Sequence, residues 1–280
     1  MENLKSILMR HNLMLKKAYG QNFLTDLDLL DEIVEKAGVT ENDTVLEIGC
    51  GAGALTQALA RKAKKVVGYE IDLRLKPVLA ETLAGFNNVE IVFQDVMKNK
   101  LCDIEKKLGG EYILVANLPY YITTPIVMRF IENSDKLKAM VIMVQEEVAL
   151  RFTANPSTAD YGAITVGINL RGQGEVVLYV PREKFTPAPN VDSAVVKIVI
   201  EKDKFKDVDL GAVRDVVRCG FSSRRKMFVN NIMNTYKLKR EQAEDVLISA
   251  GISLTVRGEN LSAEEYVNLS KVCKEKGIIK

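Results

Sequence analysis

One segment decides the fold class: Thr44-Val45-Leu46-Glu47-Ile48-Gly49-Cys50-Gly51-Ala52-Gly53. Its first five residues form a mainly apolar run that is typical of a buried strand. The three glycines that follow allow the backbone to turn tightly and to approach a ligand closely. Residues 54–63 then have helical character. The segment therefore predicts a strand, a glycine-rich loop and a helix, which is the arrangement that binds ligands at the carboxyl edge of an α/β sheet.

Further strand-like runs lie at 65–70, 89–93, 112–116 and 138–144, with helical segments between them. This alternation predicts a mostly parallel, Rossmann-like sheet with right-handed crossovers. Residues 176–180 and 193–200, joined by a proline-rich loop, predict an antiparallel hairpin at the end of the sheet. After about residue 202 only short helices are indicated. We therefore predict an α/β domain over 1–203, which binds the cofactor and carries out catalysis, and a small all-helical domain over 204–280.

Composition excludes several kinds of chemistry. The 280 residues exceed what one core usually supports, and the net charge is only +2. Cys50, Cys102, Cys219 and Cys273 are far apart and form no metal-binding or disulfide pattern. His11 is the only histidine. This disfavours catalytic triads and histidine-ligated metal sites, which need histidine side chains, and we expect no metal. No run is long enough to span a membrane, and no signal peptide is indicated, so the sequence predicts a cytoplasmic protein.

The strand at 112–116 is followed by Asn117-Leu118-Pro119-Tyr120. These residues come just past the carboxyl end of the strand, where open α/β sheets bind ligands. Asn117 offers a carbonyl acceptor, Pro119 leaves the preceding carbonyl free, and Tyr120 offers a flat face for stacking. Two acceptors and a stacking ring suit an exocyclic amine on a planar base. The structural alternative is a strand-to-helix turn with a buried tyrosine.

The glycine loop has the spacing of a nucleotide-binding site. Gly49, Gly51 and Gly53 follow one strand, and Glu70 ends the next strand about 20 residues on, where it could bind both ribose hydroxyls. Because Ala54 completes a Gly-x-Gly-x-x-Ala pattern, a nicotinamide or flavin nucleotide is an alternative ligand, and the loop alone does not decide between them.

Three observations favour S-adenosylmethionine as the cofactor. Glu47 lies two residues before the first glycine, where an acid suits an ammonium and a sulfonium better than a pyrophosphate. Asp95 ends the third strand and could accept a hydrogen bond from an adenine amino group, although Asp also commonly initiates turns. The fourth strand ends in the amine-binding turn that begins at Asn117. Three successive strand ends would then converge on one crevice.

Several blocks, read in order, resemble the small-subunit ribosomal RNA adenine dimethyltransferases of bacteria, the kasugamycin-resistance methyltransferase family. The resemblance runs from about residue 17 to the C-terminus. It rests on residues 19–24, 47–49, 70, 94–95, 117–120, 185–195, 221–226 and 257–262. One position departs from the commonest form, because Cys50 stands where proline is frequent; backbone access to the loop is kept.

The resemblance implies transfer of two methyl groups to N6 of each of two adjacent adenines near the 3′ end of small-subunit (16S) rRNA. It implies S-adenosylmethionine as the donor and the assembling 30S particle as the partner; we also expect a monomer and no membrane association. With Gly51 added from the glycine loop, the expected cofactor contacts are Asn22, Leu24, Gly49, Gly51, Glu70, Asp95 and Asn117.

The same residues suggest how the target base is held. The Asn117 side-chain carbonyl and the Leu118 backbone carbonyl would accept the two N6 hydrogens, with Pro119 shaping the turn. Tyr120 would stack on one face of the base and Phe185 on the other; a structural alternative for Phe185 is a core aromatic of the hairpin. If stacking alone matters, Tyr120→Phe should be mild and Tyr120→Ala severe.

A basic segment indicates an anionic partner. Residues 214–240 contain eight Lys or Arg residues and one acid. We predict that Arg218, Arg224, Arg225 and Lys226 contact RNA phosphates, the alternative being a solvated helix face. Other functions considered are a large-subunit rRNA adenine methyltransferase of the macrolide-resistance type, a nucleotide-dependent oxidoreductase, and a non-catalytic assembly or transcription factor.

Overall fold

The computed structural model describes residues 6–7, 10–11, 23–24 and 26–279. The chain divides into two compact units. The first comprises Met1–Ala149 and Glu175–Ile200, and the second comprises Leu150–Gly174 and Glu201–Lys280. Across the described ranges, no helix combines the length and apolarity needed to cross a membrane.

Strands and α-helices alternate as far as β6; two helices and three strands follow, and after β9 the described chain is helical. The elements follow in the order β1 (Phe23–Leu24), α1 (Leu27–Ala37), β2 (Thr44–Ile48), α2 (Ala54–Ala60), β3 (Lys65–Tyr69), α3 (Lys76–Thr82), β4 (Val89–Val92), α4 (Leu101–Leu108), β5 (Tyr112–Asn117), α5 (Thr123–Asn133), β6 (Leu137–Gln145), α6 (Glu146–Thr153), α7 (Ala163–Asn169), β7 (Gly172–Val180), β8 (Phe185–Thr186), β9 (Ser193–Ile200), α8 (Leu210–Phe221), α9 (Phe228–Tyr236), α10 (Arg240–Ser249) and α11 (Ala263–Glu275).

A seven-stranded sheet forms the centre of the first unit, in the order β4-β3-β2-β5-β6-β9-β7. Strands β2 to β6 pair in parallel, and β9 runs antiparallel to β6. The prediction of a mostly parallel sheet ending in antiparallel pairing is confirmed. From β2 the chain proceeds outward to β3 and β4 and then returns to β5 on the other side of β2. This reversal places a ligand crevice at the carboxyl ends of β2 and β5.

Alternating side chains of the parallel strands fill both faces of the sheet. Val45 and Val115 pack with Leu30 and Leu59 of helices α1 and α2 in one buried cluster. Leu46, next to Val45 on β2, points to the opposite face and is also fully buried. A sheet buried on both faces explains why its strands read as nearly continuous apolar runs.

The second unit has a separate helical core that includes residues 150–174. Tyr161 and Val166 of this segment are fully buried with Val213, Phe228 and Tyr266. The Tyr161 hydroxyl also donates to the Leu261 carbonyl at 2.8 Å. The predicted single boundary at residue 203 therefore needs correction, since 150–174 belongs with the C-terminal helices. The local sequence of this segment does not indicate which of the two cores its apolar side chains join.

Candidate active site

The glycine loop after β2 adopts backbone conformations that favour glycine. Gly49 and Gly51 have φ angles of +80° and +56°. A Cβ atom added at Gly51 would lie 3.1 Å from the Phe23 ring. The loop thus combines left-handed backbone with close contact from β1, as a backbone that cradles a ligand requires.

Glu70 follows β3 directly and is almost fully buried. One carboxylate oxygen accepts from the Gly51 backbone N–H at 2.9 Å, and the other accepts from the Asp72 N–H at 2.8 Å. Burial raises the pKa of Glu70, while the two backbone hydrogen bonds oppose that shift. A carboxylate accepts about four hydrogen bonds, so roughly two positions remain for hydroxyl groups of a ligand.

Asp95 follows β4 and begins the 3₁₀ turn Val96–Lys98. Its Oδ1 accepts from the Met97 N–H at 2.9 Å, as the turn-initiating alternative expects. Its Oδ2 accepts no hydrogen bond from the described residues, so the same side chain keeps one acceptor for a ligand. The two interpretations of Asp95 are compatible.

The turn at 117–120 starts inside the sheet. Asn117 is the last residue of β5 and pairs with Met143 of β6, so its backbone is held in the ladder. The Pro119 carbonyl accepts from the Ile122 N–H at 3.1 Å and from the Thr123 hydroxyl at 3.2 Å. The Leu118 carbonyl, in contrast, accepts no hydrogen bond within the described part of the chain, as a ligand acceptor should.

A short second sheet brings two distant predicted residues together. Strands β1 and β8 pair antiparallel, with Leu24 opposite Phe185 and Phe23 opposite Thr186. Phe185 is buried in the core cluster and also lines the cavity described next, so its proposed and structural roles coexist. This pairing was not predicted, because two-residue strands carry too little periodicity to detect.

One cavity of about 360 Å³ unites these elements, within the size range of small-molecule sites. Of the predicted residues it is lined by Leu24, Gly49, Gly51, Glu70, Asp95, Asn117, Leu118, Pro119, Tyr120 and Phe185. Asn22 lies outside the described residues. Tyr121, which the sequence analysis did not single out, also lines the cavity and is 72% exposed. Its only sequence signal was its position directly after Tyr120.

Arg129 of α5 is a second residue that sequence reasoning missed. Its guanidinium donates to the Val96 carbonyl at 2.6 Å and also to the Asn99 carbonyl. These bonds hold the turn that begins at Asp95 against the helix that follows Tyr120. Arg129 therefore connects the turn at Asp95 to helix α5, two elements that border the same cavity.

The expectation for Glu47 is wrong in the described structure. Glu47 is 0% exposed, is absent from the cavity lining, and has no hydrogen bond to either carboxylate oxygen among the described residues. Strand alternation places it on the same face as Val45, under helix α2. Burial raises the pKa of Glu47 to about 8, and the negative charge of Glu70 adds to the shift.

The buried Glu47 carboxyl should make the cofactor-free protein less stable as pH rises. Between pH 4.5 and about 8 the folded state holds a proton that the unfolded state has lost, so the free energy of unfolding falls with pH. Glu47→Gln should remove this slope and raise stability above pH 8 by a few kcal/mol, with an upper limit of about 5 kcal/mol. Urea unfolding across pH 5–9 measures the effect.

The exposed Glu41→Gln variant, just before the same strand, is the control and should keep the wild-type slope. If the free energy of unfolding of Glu47→Gln still fell with pH as it does in the wild type, the prediction would be contradicted. The Glu47 carboxyl would then already be ionised in the folded protein, stabilised by a partner.

Cys50 is a buried loop residue with no sign of reactivity. Its thiol lies 3.8 Å from the Tyr69 carbonyl, and a Cβ atom added at Gly68 would lie 2.4 Å from its sulfur. Burial raises the pKa of Cys50 well above its ordinary value. The thiol therefore stays protonated and acts as packing beneath the loop.

The basic segment contains residues of two kinds. Arg224 donates to Glu259 at 2.6 Å and to the Tyr161 carbonyl at 2.9 Å, so much of its hydrogen-bonding capacity is used within the second unit. Arg224 nevertheless remains exposed, so its contact with RNA phosphates stays a prediction. Arg218 is exposed beside Asp215 at 3.0 Å. Arg225 and Lys226 are exposed and make no side-chain ion pair with the described residues.

Two solved structures share this architecture. A dimethyladenosine transferase from Plasmodium falciparum is 28% identical, has a TM-score of 0.78, and covers 91% of this chain and 98% of its own. The 23S rRNA methyltransferase ErmE is 27% identical, has a TM-score of 0.69, and covers 90% of this chain and 100% of its own. With the cavity at the β2–β5 edge, the fold defines a methyltransferase that uses S-adenosylmethionine.

Comparison of sequences narrows the class. The family model for ribosomal RNA adenine dimethylases matches residues 12–275, and the chain belongs to this family. Proteins named ribosomal RNA small subunit methyltransferase A are similar over nearly the whole chain. That of Geobacillus thermodenitrificans is 44% identical, covering 95% of this chain and 93% of its own; that of Geobacillus kaustophilus is 45% identical with the same coverage. The oxidoreductase and non-catalytic alternatives are thereby dismissed.

The residues of the cavity fit S-adenosylmethionine. The loop backbone around Gly51 is open to close approach, Glu70 retains acceptor capacity for ribose hydroxyls, and Asp95 retains an oxygen for an amino group. S-adenosylmethionine, when bound there, would supply an electrophilic methyl group.

Proposed function

We propose that this enzyme dimethylates N6 of two adjacent adenines near the 3′ end of small-subunit rRNA. The observation that carries the proposal is that the Asn117–Tyr120 turn lines the same cavity as Glu70 and Asp95. A base held by the turn would therefore meet a methyl donor held by the acids. The 44–45% identity to small-subunit methyltransferases, against 27% to ErmE, favours the small subunit over the macrolide-resistance type.

Each cavity residue has a proposed contact with the cofactor. Glu70 accepts from the ribose hydroxyls, and Asp95 Oδ2 accepts from the adenine amino group. Gly49 and Gly51 let the loop backbone approach. Leu24, next to Phe23 on β1, supplies apolar contact, and Asn117 completes the set from the cavity. Asn22, which lies outside the described residues, stays a predicted contact from its position in the sequence.

On the substrate side, the residues make a weak nucleophile reactive. The lone pair of an adenine N6 amine is delocalised into the ring. The Asn117 side-chain carbonyl and the Leu118 carbonyl accept the two N–H groups, which draws the nitrogen toward tetrahedral geometry and directs its lone pair at the methyl group. Tyr120 and Phe185 hold the ring between them. No strong base is needed, in keeping with a chain that has one histidine.

The same acceptors allow two successive transfers. When the nitrogen gains a methyl group it becomes positively charged and acidic, and it releases one proton to water. One N–H then remains, and one carbonyl still orients the amine. The base must leave its stack to enter the cavity, which costs a few kcal/mol in a duplex and less in a loop. A hairpin loop or flexible rRNA end is therefore the favoured substrate, and its surroundings in the assembling 30S particle would supply specificity by shape.

We further propose that the enzyme acts as a monomer in the cytoplasm, where that particle is assembled.

Exposed cations of the second unit are the proposed phosphate contacts. Arg225 and Lys226 are free of ion pairs among the described residues, and Arg218 has only an exposed partner, whose contribution is small. Contacts of this kind bind rRNA without reading its sequence and place the base for capture.

Charge reversal at this surface should weaken rRNA binding. Arg225→Glu with Lys226→Glu should lower affinity and reduce the slope of log Kobs against log salt by about two, because each phosphate contact contributes about one. Affinity for S-adenosylmethionine should be unchanged. Filter binding at several salt concentrations measures the slope.

The matched control is Lys62→Glu with Lys271→Glu, which makes the same change in net charge at exposed positions, one in each unit. Equal losses for both double variants would mean that only net charge matters, and would contradict a phosphate-contacting role for Arg225 and Lys226.

The function itself is tested by methylating small subunits that lack the modification. The protein is incubated with these particles and labelled S-adenosylmethionine, and reverse-transcriptase stops are mapped. Dimethyl-adenine cannot pair normally, so stops are expected at two adjacent adenines near the 3′ end. Stops in large-subunit rRNA instead would support the macrolide-resistance alternative. The structural similarity to ErmE is the observation that favours this alternative.

A further inference from the structure

A partly buried hydrogen bond joins the Asn117–Tyr120 turn to strand β9. The Tyr120 hydroxyl lies 2.9 Å from the Ser193 hydroxyl, and Ser193 is 0% exposed. Tyr120 itself is half-buried and lines the cavity. The sequence predicts a stacking role for the Tyr120 ring and none for its hydroxyl.

Ser193 is itself held rigidly. It is the first residue of β9 and pairs with Gln145 of β6. The residue before it, Asp192, accepts from the Glu146 N–H at 3.1 Å through its carbonyl, and from the Arg182 N–H at 2.9 Å through its side chain. A hydroxyl anchored in this way restrains what binds to it.

The bond restrains the Tyr120 ring from its far end. A partner at the hydroxyl fixes where the far end of the ring lies, and therefore the first side-chain torsion. Because the phenolic O–H prefers the plane of the ring, the same bond also restrains rotation of the ring about its long axis. Ser193 also ends the loop that begins after β7 and carries Phe185. The bond thus connects Tyr120 to the strand that directly follows the loop carrying Phe185.

We propose that Ser193 is a positioning residue for methyl transfer, which holds the Tyr120 ring in the orientation that stacks on the target adenine. This inference rests on the proposed function of the turn. Burial raises the pKa of Tyr120, so its hydroxyl stays protonated and can donate at neutral pH. A ring free to swing would leave the amine misaligned with the methyl group, and small misplacements cost rate.

A double-mutant cycle tests the coupling. Tyr120→Phe and Ser193→Ala should each lower kcat on small subunits about tenfold, below the loss of about a hundredfold that a full misplacement causes. The double variant should lose no more than either single variant, because all three lack the same bond. Affinity for S-adenosylmethionine should stay unchanged, and Ser193→Thr, which keeps a hydroxyl, should recover most of the rate.

The chain offers a matched control pair. The Tyr112 hydroxyl donates to the Ser134 hydroxyl at 2.9 Å, also buried, at the opposite end of β5. Tyr112→Phe and Ser134→Ala should lower Tm but leave kcat within about twofold, since they lie away from the cavity.

Three results would overturn the inference: wild-type kcat in Ser193→Ala, additive losses in the double variant, or equal kcat losses in the control pair at equal loss of Tm. These results are distinguishable from failure of the proposed function. In that case the wild-type enzyme itself would produce no reverse-transcriptase stops at two adjacent adenines in small-subunit rRNA.

Discussion

Replacing Asn117 by alanine should lower kcat for methyl transfer by about 10²–10³-fold, the usual cost of removing one preorganised polar group from a transition state. In the proposed mechanism, the side-chain carbonyl accepts an N6 hydrogen whose polarity grows as the nitrogen becomes tetrahedral. Its position is precise because the Asn117 backbone pairs with Met143 at the end of a buried strand. Affinity for S-adenosylmethionine should fall only about fivefold, the value of one neutral hydrogen bond.

Single-turnover methylation of unmodified small subunits, with cofactor titration alongside, separates these two effects. Asn133→Ala is the matched control. Asn133 ends helix α5 at an exposed position, where its side chain donates to the Arg129 carbonyl. It should leave both quantities unchanged. A kcat within a few-fold of wild type in Asn117→Ala would remove the side chain from the mechanism.

The sheet and most of its crevice could be predicted because both depend on local patterns. Buried parallel strands are short apolar runs, and turn chemistry marks where each one ends. Parallel strands end at the same edge, so Gly49, Glu70, Asp95 and Asn117, each at or just after a strand end, must come together. The structure places all four around one cavity.

A local pattern was overlooked at Glu47, whereas contacts between distant residues account for the other differences from prediction. Glu47 was assigned to the ligand from its distance to the glycines, but strand alternation, which the sequence does contain, turns it beneath helix α2. Arg224 was predicted to contact phosphates from its charge, and its hydrogen bonds to carbonyl groups of the segment before α7 were not foreseen. That segment joins the second unit through Tyr161, whose local sequence does not indicate which core it enters. In the last two cases the deciding contacts join residues that are far apart in sequence.

Loss of the Glu70 carboxylate should weaken S-adenosylmethionine binding by about 100-fold. Hydrogen bonds to a charged group are worth about 1.5–3 kcal/mol each, and Glu70 has roughly two acceptor positions for ribose hydroxyls. Glu70→Ala would also leave the Gly51 and Asp72 N–H groups without their partner. The loop would therefore lose its shape as well as its ligand. Isothermal titration with the cofactor measures the affinity, and thermal unfolding measures the damage to the loop.

Glu90→Ala is the control. Glu90 lies on the neighbouring strand β4, exposed and paired with Lys107, and its loss should leave cofactor affinity unchanged.

The pH dependence distinguishes a carboxylate that binds the cofactor from one that only supports the loop. Burial raises the pKa of Glu70, so on acidification it takes up a proton at a higher pH than an exposed glutamate does. Protonation removes acceptor capacity, and cofactor affinity should therefore fall on the acid side and recover as pH rises. Glu70→Gln keeps the size of the side chain without titrating, so its weaker affinity should not vary with pH there. If both proteins lost affinity in parallel, another group would be titrating and Glu70 would be confined to holding the loop.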